Sequence, residues 1–155
     1  MDKKKNIIFI DSNVFIIDLR YTHDANFNTN KAFLNFIGKS GNGVTSIINL
    51  LEVCGILSFN LNSRQLQELF YYLPEKFRVD ILPSHSQDIQ FPSSTIKDIM
   101  ELLKRKSSLG DAVIAHLVNS SLTERALFIS WDSAHFKDLL IMKALTPEEF
   151  MKRQK

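Results

Sequence analysis

One cysteine, one tryptophan, four prolines and five glycines in 155 residues remove several classes of protein before any motif is considered. With Cys54 alone no internal disulfide can form, so a disulfide-stapled secreted scaffold is excluded. Cys54 lies in the apolar run Ile47 to Leu57, where a small buried hydrophobe is expected and a reducing, cytoplasmic setting fits. The scarcity of glycine leaves no Gly-rich loop to cradle a phosphate and no nucleophile elbow. No window approaches the roughly 18 apolar residues that span a bilayer. Lys3 to Lys5 followed by Ile7 to Ile10 has the outline of a secretion signal, but Asp11 ends the apolar stretch at once, so a soluble protein retained in the cell is expected, with no membrane partner. Charge of one sign is also scarce. Nineteen basic residues against 17 acidic ones give +2, far from the strongly basic surface of a protein that lives on duplex DNA.

What the chain does have is enough hydrophobic content, 45%, for one ordinary core, and 1–155 is read as a single domain. Asn6 to Ile10 is short, branched and apolar, as a strand covered on both faces must be. Helical spacing follows at Val14 to Leu19 and at Lys31 to Ile37, with Gly38 and Gly41 as stop signals. Val44 and Thr45 suggest a brief strand, after which Ser46 caps an apolar helix to about Leu57. A helix from Ser63 uses Leu66, Leu69, Phe70 and Leu73 as one face and is expected to stop at Pro74. Arg78 to Leu82 reads as a strand and Ser84 to Ser94 as a loop. A helix with Ile96, Ile99, Met100, Leu102 and Leu103 inward comes next, then one begun by Ser107 or Ser108 and running through Leu117. Ala126 to Ser130 and Ile141 to Ala144 are the last strands, and Thr146, Pro147 and Glu149 box the start of a closing helix. Strands alternating with helices imply an α/β protein, a three-layer sandwich around a mostly parallel sheet of four to five strands.

Four carboxylates carry the chemical reading. Asp11 and Asp132 end separate strands, at the edge where ligands of parallel sheets bind, although each would also serve as a helix cap. Glu52 interrupts an otherwise apolar helix, where Thr45, Asn49 and Glu52 form a narrow polar stripe. Asp111 follows Ser108 by three positions, the spacing of a capping box. Singly, none is persuasive. Gathered at one sheet edge they would repel one another and raise each other's pKa unless a cation intervened. Oxygen ligands without a matching set among His23, His85, His116, His135 and Cys54 favour Mg²⁺ or Mn²⁺ over zinc.

The segments FIDSN at Phe9 to Asn13, TSIINLLEVCGIL at Thr45 to Leu57, LGDAVIAHLV at Leu109 to Val118, FISWDSAHF at Phe128 to Phe136 and LTPEEF at Leu145 to Phe150 resemble, in that order, the PIN-domain family. They are most similar to the small VapC-type ribonuclease toxins of prokaryotic toxin–antitoxin pairs. The resemblance covers nearly the whole chain and implies a PIN-like sandwich. It places the family's four acids on Asp11, Glu52, Asp111 and Asp132, as catalytic metal ligands, and its small hydroxyl position on Ser130. Asn13 and Ser130 are expected to orient the carboxylates. Ser130 stands where threonine is commoner, and the region Asn60 to Ser94 is longer than in the most compact relatives.

The implied activity is hydrolysis of single-stranded RNA. Modest basic clusters at Lys3 to Lys5, Lys104 to Lys106 and Lys152 to Lys155 suit a phosphate backbone, and Tyr21, Tyr71, Tyr72 and Trp131 offer faces for bases, with burial the default for most of these aromatics. Apolar helical faces between Asn49 and Phe77 suit a second copy in a homodimer or an antitoxin segment. Two rivals stand beside this reading: a PIN-like protein that binds metal or RNA without cleaving, and a receiver-type phosphoacceptor. The latter wants paired acids after the first strand, and DSN at Asp11 to Asn13 has no such pair.

Overall fold

The computed structural model describes residues 5–91 and 94–155. Lys3 and Lys4 of the first basic cluster, and Pro92 and Ser93 of the expected loop, lie outside the described residues. The chain runs β1 (Ile8–Ile10), α1 (Ser12–Arg20), α2 (Phe27–Ser40), β2 (Gly43–Ser46), α3 (Ile47–Leu57), α4 (Ser63–Phe77), β3 (Asp80–Leu82), α5 (Ile96–Leu103), α6 (Leu109–Ser121), β4 (Leu127–Ile129), α7 (Ser133–Phe136), β5 (Lys143–Leu145) and α8 (Pro147–Lys152). The five strands form one sheet in the order β3-β2-β1-β4-β5, parallel at every pairing. That order separates the fold from a receiver domain, whose doubly wound sheet runs 2-1-3-4-5.

The alternation of side chains along β1 and β4 builds the two cores. Ile8, Ile10 and Ile129 join α1, α2, α3, α4 and α8 on one face. Phe9 and Phe128, stacked with ring centroids 5.1 Å apart, join α5, α6 and α7 on the other. The result is a three-layer α/β/α sandwich with β1 buried at its centre. Gly43 is needed where β2 enters, because a Cβ there would collide with Ile37 Cγ2. Among the described residues no helix is long and apolar enough to cross a membrane.

Several local expectations need correction. α4 does not stop at Pro74 but continues to Phe77. A helical proline deprives the carbonyl four residues earlier of its donor, and here Phe70 O instead accepts from His85 Nε2 at 2.8 Å. The turn beyond Pro74 ends at Arg78, which takes the left-handed cap (φ 53°) rather than opening a strand. In α5 only Ile99 and Leu102 are deeply buried, whereas Ile96 is 80% and Met100 46% exposed, because the helix lays a narrow stripe on α6. The last strand begins at Lys143, leaving Ile141 exposed. Tyr21, Tyr71 and Tyr72 are exposed as well, since each sits on the outer face of a helical layer.

Candidate active site

The connection after β1 leads to β2 on one side, while β4 pairs with β1 on the other. Such a switch point opens a crevice beyond the carboxyl ends of the strands. The first residue after β1 is Asp11 and the first after β4 is Ser130, both buried. The backbone N–H of Asp11 donates to Ile129 O at 2.9 Å, which holds the two strand ends together. Asp11 caps α1, with Oδ1 accepting from the Ser12 N–H at 2.9 Å, so capping and crevice placement coincide in one residue.

Two polar arms spread from Asp11. On the α3 side, Ser46 caps the helix and its hydroxyl donates to Asn49 Oδ1. The fully buried Asn49 Nδ2 then donates to Asp11 Oδ1 at 3.0 Å and to Ser12 Oγ at 2.8 Å. The Ser12 hydroxyl donates to Glu52 Oε2 at 3.2 Å, so Glu52, exposed at its far end, is tied to Asp11 through two buried side chains. On the β4 side, the Ser130 hydroxyl donates to Asp11 Oδ2 at 2.7 Å and accepts from Asn13 Nδ2 and the Asp132 N–H, both at 3.0 Å. Asn13 Nδ2 also approaches Asp132 Oδ2 at 3.4 Å, and Asn13 Oδ1 accepts from the Trp131 N–H at 3.2 Å.

Asp111 enters from the opposite layer, at the start of α6. Ser108 caps this helix by accepting from the Asp111 N–H at 3.1 Å, but among the described residues no bond returns from the Asp111 carboxylate. Its oxygens therefore remain for another partner. Asp132 likewise precedes α7 without capping it through its side chain.

The electrostatics follow from this crowding. Burial above all pushes the Asp11 carboxyl up from its ordinary 3.8 to about 7; bonds from Ser130 and the Ser12 N–H oppose the rise, and repulsion from Glu52 and Asp111 adds to it. Glu52 is also raised, first by burial, with the Ser12 hydroxyl opposing and Asp111 repelling. The ion pairs among the described residues, Arg64–Glu68, Lys104–Glu101 and Lys152–Glu148, include none of the four acids. A knot of acids without a basic partner suits a cation, and its oxygen donors suit Mg²⁺ or Mn²⁺ rather than zinc. Among the described residues no three Asp, Glu, His or Cys side chains converge into a ready cage.

Two supports were not legible in the sequence. Asn30, fully buried in α2, donates from Nδ2 to Val14 O at 2.8 Å and accepts at Oδ1 from Trp131 Nε1 at 2.8 Å. It thereby braces α1 and the Trp131–Asp132 loop from behind. Ser12 was equally hidden, as an ordinary hydroxyl inside DSN. Asn49 did leave a signal, the polar stripe through an apolar helix. His135 and Cys54 stand apart from these bonds; Cys54 is buried, and burial pushes its thiol up to about 11.

No family model matches the chain, and no curated protein matches its sequence. Solved structures do resemble it. A chain in the crystal structure of VapBC2 from Rickettsia felis bound to a DNA fragment from their promoter superposes with a TM-score of 0.59 at 19% identity, over 90% of this chain and 98% of that one. A chain of FitAB bound to the IR36 DNA fragment superposes with a TM-score of 0.56 at 14% identity, over 91% of this chain and 95% of that one. At such identities the likeness establishes the fold. The protein is an α/β sandwich of the kind found in these complexes, consistent with a PIN-like architecture.

Proposed function

We propose that the protein is a Mg²⁺- or Mn²⁺-dependent endoribonuclease that hydrolyses phosphodiester bonds of single-stranded RNA, acting as the toxin of a toxin–antitoxin pair. The observation that carries this reading is Asp11: a buried carboxylate at the sheet's switch point, pressed by Glu52 and Asp111, bonded by Ser130 and Asn49, and joined to no basic side chain among the described residues. The fold shared with chains of VapBC2 and FitAB supports the toxin role and a protein antitoxin as partner. Pairing as a homodimer rests on that analogy.

Asp11 and Asp111 would hold the cation directly, with Asp132 and Glu52 completing the set. A divalent cation bound there would supply an acidified water and offset charge on the scissile phosphate. The chain's own part is positional. Ser130 holds Asp11 and the Asp132 backbone in one register, and Asn13 holds the Trp131–Asp132 loop against α1. Glu52, with a raised pKa and an exposed end, accepts the proton that the attacking water releases.

Purified protein with Mg²⁺ or Mn²⁺ is expected to fragment a mixed single-stranded RNA pool while leaving single-stranded DNA of the same sequences intact. RNA that stays full length in both metals, at enzyme in excess of substrate, contradicts the assignment. Uncut RNA together with Mn²⁺ binding that requires Asp11 would instead select the second reading, a PIN-like protein that binds metal or RNA without cleaving.

A further inference from the structure

Away from the acids, a groove of about 500 Å³ lies between α1, α2 and the end of α4. Among the described residues, Lys31, Lys39, Lys76 and Arg78 line it against a single acid, Asp18. None of the ion pairs among the described residues engages any of the four cations. Two of them have a defined setting. The left-handed backbone of Arg78 at the cap of α4 (φ 53°) sets the direction in which its side chain leaves the chain, and the Lys76 ammonium lies 5.5 Å from the Phe77 ring and 5.7 Å from the Tyr72 ring. In a chain whose net charge is only +2, four cations around one cavity form a strong local field.

The fold gives this groove a direction. Lys39 and Arg78 precede β2 and β3, at the sheet edge opposite Asp11. Lys31 follows Asn30, whose amide is bonded to the Trp131 indole beside Asp132. Eight residues of α2, about 12 Å of helix, separate Lys31 from Lys39, so the basic strip starts behind the candidate site and leads away from it. A polyanion held near four carboxylates is repelled by them, and cations that engage its more distant phosphates offset that repulsion without touching the bond to be cut.

We propose that this groove is an accessory site for the phosphate backbone of single-stranded RNA, engaging nucleotides away from the scissile bond. The proposal rests on the ribonuclease reading for its ligand, and its test separates the two. Binding of a fluorescein-labelled 20-nucleotide RNA is measured by anisotropy in EDTA, where cleavage is stopped, from 50 to 200 mM salt. The double variant Lys39→Gln/Arg78→Asn removes two charges, asparagine being tolerant of the left-handed backbone. Lys97→Gln/Lys143→Gln removes two exposed charges outside the groove and outside the basic clusters, neither of them in an ion pair among the described residues, as the matched control.

With four phosphate contacts, affinity falls about 50-fold across that salt range, and with two contacts about sevenfold. The groove variant is expected to show the shallower dependence and at least about tenfold weaker binding at 50 mM, with the control close to wild type. Cleavage of a dinucleotide, whose single phosphodiester is the scissile bond and leaves no phosphate for the groove, is expected to be equal in all three proteins. Equal salt dependence and affinity in the groove variant and the control overturn the proposal, as does RNA binding unchanged while binding of a glutamate-rich peptide is lost. If the wild type cleaves nothing, the ribonuclease reading fails while the binding comparison still decides the groove. Melting temperatures of both variants identify any loss due to unfolding; in that event Lys31→Gln, on an exposed turn of α2, is the single replacement whose unchanged salt dependence overturns the proposal.

Discussion

Replacing Asp11 by asparagine should make the metal-free protein more stable at neutral pH and less stable in acid. The rise of the Asp11 carboxyl from 3.8 to about 7 corresponds to about 4 kcal/mol. Below pH 3.8 the folded and unfolded chains both hold the proton, and no penalty exists. Between the two values the unfolded chain releases the proton while the folded chain keeps it, so stability falls as pH rises, and the loss is complete above about 7. The substituted amide cannot ionise and escapes this loss. Its carbonyl can keep the bonds that Oδ1 accepts from the Ser12 N–H and Asn49, but its NH₂ would face a Ser130 oxygen that already accepts from Asn13 and Asp132. That conflict costs about 1–3 kcal/mol at every pH.

The two effects together put the variant about 1–3 kcal/mol above the wild type at pH 8 and about as far below it at pH 4. For a domain of this size each kcal/mol is about 2–4 °C in Tm. Thermal melts in EDTA between pH 4 and 8 should therefore cross. The raised pKa of Glu52 tilts both curves in the same direction and largely cancels from their difference. Added Mg²⁺ should raise the wild-type Tm at pH 8 and leave the variant nearly unmoved. Parallel melting curves, with a difference independent of pH, would refute the reasoning about burial and repulsion at Asp11.

Other substitutions probe the arms of the site. Ser130→Ala strips a partner from Asp11, Asn13 and the Asp132 N–H at once; it should cost about 1–3 kcal/mol and lower kcat more than it raises KM, with Ser130→Thr restoring both in melts and steady-state kinetics. Asn30→Ala leaves Val14 O and the Trp131 indole N–H without their partner. A destabilisation of about 2 kcal/mol or more is expected, together with a red shift in the emission of Trp131, the sole tryptophan; an unchanged spectrum would mean that the indole is not held by Asn30. His85→Ala orphans the Phe70 carbonyl beside Pro74 and should cost about 1 kcal/mol, a loss that the further change Pro74→Ala, by restoring the helical donor, should remove.

The fold was readable because its strands are short apolar runs closed by polar residues and its helices carry periodic faces, signals that depend on composition over several positions. The candidate site was readable only in part, for a physical reason. Asp11 and Asp132 advertise themselves by ending strands, and Asn49 and Glu52 by interrupting an apolar helix. Asn30 and Ser12 do not, because their roles exist only once α2 packs against α1 and β4 lies beside β1. The expected stop at Pro74 failed for the same reason: a donor fifteen residues away satisfies the carbonyl that the proline leaves open. Ile96 and Met100 have the spacing of a buried face, yet α5 meets little beyond α6 and leaves them in water.

The most direct test of the central claim is the initial rate of single-stranded RNA cleavage by the wild type and by Asp11→Asn, each folded by its melting curve, in Mn²⁺ and in EDTA. The carboxylate account predicts cleavage by the wild type in Mn²⁺, its abolition by chelation, and a loss of at least about a thousandfold in the variant, equivalent to about 4 kcal/mol of transition-state stabilisation. Equal rates in wild type and variant, or cleavage that survives EDTA, would contradict it.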